Sequence, residues 1–193
     1  MLFRSGFTET NWFNNDAFWW QRKATDWAYT ASWAPNAADH PMYTPVHRYA
    51  RNIIGSLNHW VSGWVDWNPV LDERGGPNHV GNFCGAPIMV NLETQDGYFT
   101  PIFDVLSQFS RTIRPGDQAV TVSIQGDAWP GDALHVGATL SPKGLISIQL
   151  LNTQMTPLTF GLGLLGQHAV ITLPANALQT IRVDLSAALS KTT

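Results

Sequence analysis

The period of the apolar residues changes once along this chain, near Pro115, and that single change limits the folds open to it. Upstream, apolar side chains recur at helical spacing in two stretches. Downstream they alternate in short runs broken by Gly and Pro, the pattern of half-buried strands. The first helical stretch is "TPVHRYARNIIGSLNHWV", where Thr44 is placed to cap and Pro45 to occupy the first turn. Val46, Tyr49, Ile53, Ile54, Leu57 and Val61 form its stripe, with His47, Arg48, Arg51, Asn52 and Asn58 opposite. The second, "TPIFDVLSQFSRTI", opens at Thr100-Pro101, carries Phe103, Leu106, Phe109 and Ile113, and stops at Pro115-Gly116. Between them "WVSGWVDWN" reads as a buried strand and "APIMVNL" as another. "MLFRSGF" reads as a strand leading into a long aromatic loop over residues 11–43.

Residues 1–115 thus read strand, loop, helix, strand, loop, helix: two β/α units, the grammar of a parallel sheet with helices outside. A closed barrel needs eight such units, so the chain reads as the end of something larger. Residues 116–193 hold six strand candidates, "QAVTVSI", "ALHVGATL", "GLISIQLLN", "LTFGL", "HAVITL" and "QTIRVDL", and are expected to form an antiparallel β-sandwich. The expected class is α/β plus all-β. No internal repeat is present.

Several functions are poorly served by this composition. A net charge of −3 gives no electrostatic footprint for nucleic acid or an anionic membrane. No apolar run approaches the length of a bilayer span, and "MLFRSGF" turns polar too soon for a secretory signal. Cys84 is the one cysteine, which excludes an internal disulfide and a thiolate zinc cage; it reads as a small buried hydrophobe and leaves the compartment open. The six histidines show no ligand spacing, and no serine-elbow or phosphate-loop motif occurs, so neither a metal nor a cofactor is expected.

Tryptophan is the outlier. Eight of nine lie within the first 67 residues, Trp129 being the exception, amid many asparagines. Flat apolar faces beside amide side chains suit sugar rings, although any single tryptophan serves equally well as core. Carboxylates are scarcer. Glu9, Glu73 and Glu93 are the only glutamates; the last two read as solvated turn residues, while Glu9 stands where a predicted strand meets the aromatic loop. Strand ends of that kind carry catalytic groups in β/α barrels. Asp66, between Trp64 and Trp67, reads equally as a structural carboxylate or a substrate contact.

The stretch "SLNHWVSGWVDWNPVLDERGGPNHVGNFCGAPIMVN", followed by "TPIFDVLSQFSRTIRPGDQAV", closely resembles the C-terminal third of glycoside hydrolase family 30, and within it the glucosylceramidases. The resemblance is strong from Ser56 to about Val120 and weaker elsewhere. It implies the C-terminal part of a (β/α)8 barrel, its last two β/α units, joined to a β-sandwich, and cleavage of β-glycosides with retention. By the same resemblance Trp67 walls the sugar pocket with Trp64 beside it, Asp66 grips sugar hydroxyls, and Asn82 rims the pocket. The strand-seven nucleophile falls on Glu9 in "FTET"; a second register puts Gly6 there and leaves no nucleophile. Glu9 is preferred because no other glutamate is near. The acid/base glutamate of strand four has no counterpart here, since no "NE" dipeptide occurs. The chain alone is therefore expected to be catalytically incomplete, to engage a β-glucoside, and to dock an N-terminal barrel fragment or self-associate. The alternative expectation is a non-catalytic carbohydrate-binding or interaction module.

Overall fold

A computed structural model describes residues 43–66, 68–72, 75–77, 86–126 and 133–185, with side chains from residue 49 onward. The chain divides into two compact units. One comprises the residues up to Ile53 with Val61–Gln108; the other comprises Ile54–Trp60 and Phe109 onward.

The expected helix forms as α1 (Tyr43–Asn58), its residues up to Ile53 belonging to the first unit and Ile54–Asn58 to the second. Tyr49, Ile53 and Ile54 of its stripe are buried, as is Ala50. It ends earlier than the periodicity suggests, because Trp60 takes a left-handed backbone (φ 62°) that no helix can propagate. Val61 therefore lies beyond the helix. Among the described residues of "WVSGWVDWN", the expected strand is reduced to one bridging residue, Val65, itself exposed. Regular pairing begins, among the described residues, at β1 (Val70–Asp72). That strand runs parallel to β2 (Ile88–Val90), which pairs antiparallel with β3 (Gly97–Phe99). Met89 at the centre of β2 is fully buried.

The β2–β3 connection escaped the sequence reading. Asn91 builds it: its Oδ1 accepts the Glu93 and Thr94 N–H groups at 2.9 and 3.1 Å, an Asx turn that Gln95 completes at φ 63°. Glu93 is exposed there, as expected. Helix α2 (Pro101–Thr112) follows. Its most buried residues are Ile102, Val105 and Phe109, so the stripe sits one residue earlier than the expected Phe103 and Leu106, which are half-buried. Phe103 instead packs on the exposed ring of Phe99, centroids 4.2 Å apart. Thr100 does not cap with its side chain. The hydroxyl donates to the carbonyls of Ala86 (2.8 Å) and Pro87 (3.2 Å), tying the start of α2 to the entry of β2.

Partial desolvation of the Asp104 carboxyl, in the first turn of α2, raises its pKa above the ordinary aspartate value although the residue as a whole is exposed. A raised native-state pKa means that the folded chain binds more protons than the unfolded one. The stability contributed by this group is therefore full at low pH and declines as pH rises through the raised value. Asp104→Asn is expected to match the parent in acid and to melt slightly higher near neutrality, by about 1 °C since the residue stays exposed. Thermal unfolding at both pH values checks this.

In the second unit every one of the six alternating runs forms a strand: β4 (Gln118–Val120), β5 (Leu134–Leu140), β6 (Leu145–Asn152), β7 (Leu158–Leu164), β8 (Gln167–Leu173) and β9 (Leu178–Asp184). The first is cut short, with 121–126 outside any ladder. The order β4-β5-β6-β9 makes one antiparallel sheet, and β7-β8 a separate hairpin. Leu134, Val136 and Ala138 of β5 alternate inward with Ile146, Ile148 and Leu150 of β6, sharing one apolar core with Leu158 of β7 and Leu173 of β8.

The opposite face of the four-stranded sheet is covered too, which is why seven consecutive residues of β6 are buried. Gly137 lies where an added Cβ would stand 3.4 Å from Ile54. Asn58 donates to the Val136 carbonyl at 2.8 Å, and Gln149 to Thr112 Oγ1 at 3.2 Å. Asn58, on the helix face opposite the apolar stripe, thus anchors a strand.

A candidate sugar-facing site

Two of the sequence-selected residues, Trp64 and Asp66, lie in the short segment between α1 and β1, and the helix holds both. Tyr49 Oη donates to Asp66 Oδ1 at 3.3 Å. Trp64 Nε1 donates to Asn52 Oδ1 at 2.7 Å. The Tyr49 and Trp64 rings meet edge to face, centroids 5.9 Å apart and planes at 63°. These contacts give a physical reason for the missing strand: the segment is fixed by side chains bonded to a helix rather than by a backbone ladder.

Tyr49 and Asn52, which hold the two candidate residues in place, were not singled out from the sequence. Tyr49 reads from sequence as part of the apolar stripe and Asn52 as part of the helix face opposite it. Their spacing of three residues was the available signal, since it places them on neighbouring turns of one helical surface. Glu9, Gly6, Trp67 and Asn82 lie outside the described residues, as do Glu73 and Cys84 and the expected first strand and aromatic loop.

Chemically, the site offers a half-buried carboxylate able to accept from hydroxyl groups, set beside a half-buried indole. A cavity of about 470 Å³ lies elsewhere, in the second unit, lined by residues such as Val122, Val136, Phe160 and Leu162. Among the described residues that line it, none carries a titratable side chain. Among the described residues no cluster of His, Cys, Asp or Glu is arranged to hold a metal ion, and no helix is long and apolar enough to cross a membrane.

Comparison with known proteins places the site within a recognised segment. Residues 12–113 match the Glycosyl hydrolase family 30 TIM-barrel domain, a span that includes Tyr49, Asn52, Trp64 and Asp66 and begins just after Glu9. The chain is 36% identical over 110 residues to putative glucosylceramidase 4 of Caenorhabditis elegans, covering 57% of this chain and 21% of that protein. It is 37% identical over 114 residues to the lysosomal acid glucosylceramidase of Mus musculus, covering 58% and 21%. The chain thus spans about a fifth of the length of these relatives. Its fold is similar to that of SrfJ from Salmonella typhimurium, with a TM-score of 0.69 at 22% identity, over 83% of this chain and 37% of that one.

Proposed function

Since the chain belongs to glycosyl hydrolase family 30, in its glucosylceramidase-like group, we propose that it forms the nucleophile-bearing portion of a retaining β-glucosidase. In this reading residues 1–115 are the closing part of the (β/α)8 barrel and 116–193 the attached β-sandwich. The observation that carries it is the Asp66–Trp64 pair, held by α1 inside the family-matched segment.

Retention requires two carboxyl groups about 5–5.5 Å apart. Glu9 attacks the anomeric carbon while the second carboxyl protonates the departing glycosidic oxygen. The resulting glycosyl ester is then hydrolysed by water that the second group deprotonates. Asp66 accepts from sugar hydroxyls, Trp64 and Trp67 offer ring faces, and Asn82 rims the pocket. The second carboxyl comes from a barrel strand outside these 193 residues. A β-glucoside is the substrate class, and the lipid headgroup of the relatives named above is one member of it.

Mixing the chain with a polypeptide supplying the remaining barrel strands, then assaying an aryl β-glucoside, tests the proposal. Turnover is expected from the mixture and not from either piece. A mixture that binds sugar but shows no turnover favours the second reading, a carbohydrate-binding module, for which the aromatic-rich front half is the supporting observation.

A further inference from the structure

We infer that Tyr49 and Asn52 are the positioning residues of the sugar site, and that Trp64 serves the sugar through its ring alone. The inference rests on the sugar-site reading above and extends it to two residues that carry no chemistry themselves.

The segment from Val61 to Asp66 contains no ladder beyond the bridge at Val65, so its backbone does not by itself fix where Trp64 and Asp66 point. Helix α1 does. Ala50 is fully buried and Ile53 nearly so, which pins this part of the helix in the first unit. Tyr49, itself 8% exposed, touches both site residues at once, the hydroxyl on Asp66 and the ring edge-on to Trp64. Asn52, one helical step away, receives the indole N–H at 2.7 Å. An indole has a single donor. With that donor engaged by Asn52, Trp64 has no hydrogen bond to give a hydroxyl, and its contribution is apolar stacking on the C–H face of a pyranose. Asp66 then carries the polar recognition from this segment, oriented by the phenol.

The test uses the chain itself, labelled with ¹⁵N, with methyl β-D-glucopyranoside as probe. The Trp64 indole cross-peak is identified by its loss in Trp64→Phe. Asn52→Asp keeps an acceptor, Asn52→Leu removes it at similar size, and Tyr49→Phe deletes only the hydroxyl. In Asn52→Leu the Trp64 N–H signal is expected to move upfield and exchange faster with solvent, while the other eight indole signals hold their places, showing an intact fold. In the parent the probe is expected to perturb the Trp64 peak. Binding is expected to weaken roughly tenfold in Asn52→Leu and Tyr49→Phe, and to stay within about threefold of the parent in Asn52→Asp. A Trp64 signal indifferent to Asn52→Leu overturns the inference, as does equal loss of binding in the leucine and aspartate variants. A parent spectrum that the probe leaves unchanged overturns the sugar-site reading, and the inference with it.

Discussion

Glu9→Gln is expected to lower turnover of an aryl β-glucoside by on the order of 10³-fold or more in the assembled enzyme, while leaving sugar affinity within a few-fold of the parent. The amide matches the carboxylate in shape but cannot form the glycosyl ester, so the loss belongs to kcat rather than to binding. The size of the effect follows from the scarcity of acids. Glu73 and Glu93 are the only other glutamates, and Glu93 stands exposed in the Asx turn after β2. If Gly6 instead occupied the nucleophile position, the parent assembly would lack an attacking group and show no turnover for Glu9→Gln to lower. Steady-state kinetics with the substituted and parent chains separates the two registers.

The largest expected loss of stability lies in the second unit, at Asn152. This side chain is fully buried at the end of β6. Its Nδ2 donates to the carbonyls of Thr156 (2.8 Å) and Pro174 (2.7 Å), and its Oδ1 accepts the Gln154 N–H at 2.8 Å. One amide therefore joins the β6–β7 loop to the β8–β9 loop. Asn152→Ala removes three hydrogen bonds worth about 1 kcal/mol each and leaves a void at a fully buried position, at a cost of about 3–5 kcal/mol in all. Against a domain stability of about 5–15 kcal/mol that is a large fraction, visible as a lower urea midpoint at unchanged slope. By comparison, Leu150→Ala at a fully buried core position is expected to cost about 2–4 kcal/mol.

What the sequence revealed depended on how local the cause was. The six strands of the second unit were legible because alternation and turn residues act over a few positions, and the backbone ladders agree with them. The end of α1 was not, since the left-handed Trp60 that stops it is a bulky residue where glycine would have been the readable signal. The phase of α2 was misjudged by one residue because Phe103 looks like core from its size, while its ring is taken up by exposed Phe99. The strand over "WVSGWVDWN" failed for a longer-range reason. Aromatic and apolar content promised burial, but the N–H of Trp64 and the carboxylate of Asp66 are satisfied by a helix 12 and 17 residues upstream. For the same reason the sequence offered Asp66 and Trp64 as site residues and concealed Tyr49 and Asn52. A tyrosine at helical spacing and an asparagine on the far side of a helix each have an ordinary explanation until their partners are known.

The most direct test is covalent capture of the attacking group. A dinitrophenyl β-glucoside fluorinated at the second sugar carbon has a leaving group that needs no proton donor, so formation of the glycosyl ester calls on the nucleophile without its acid partner. The fluorine then slows the hydrolysis that would release it. Peptide mass mapping after incubating this reagent with the chain and the complementing barrel polypeptide is expected to find one fluoroglucosyl group on Glu9. A label on a carboxylate of the complementing polypeptide, or none on this chain while turnover persists, would contradict the assignment of the nucleophile to these 193 residues.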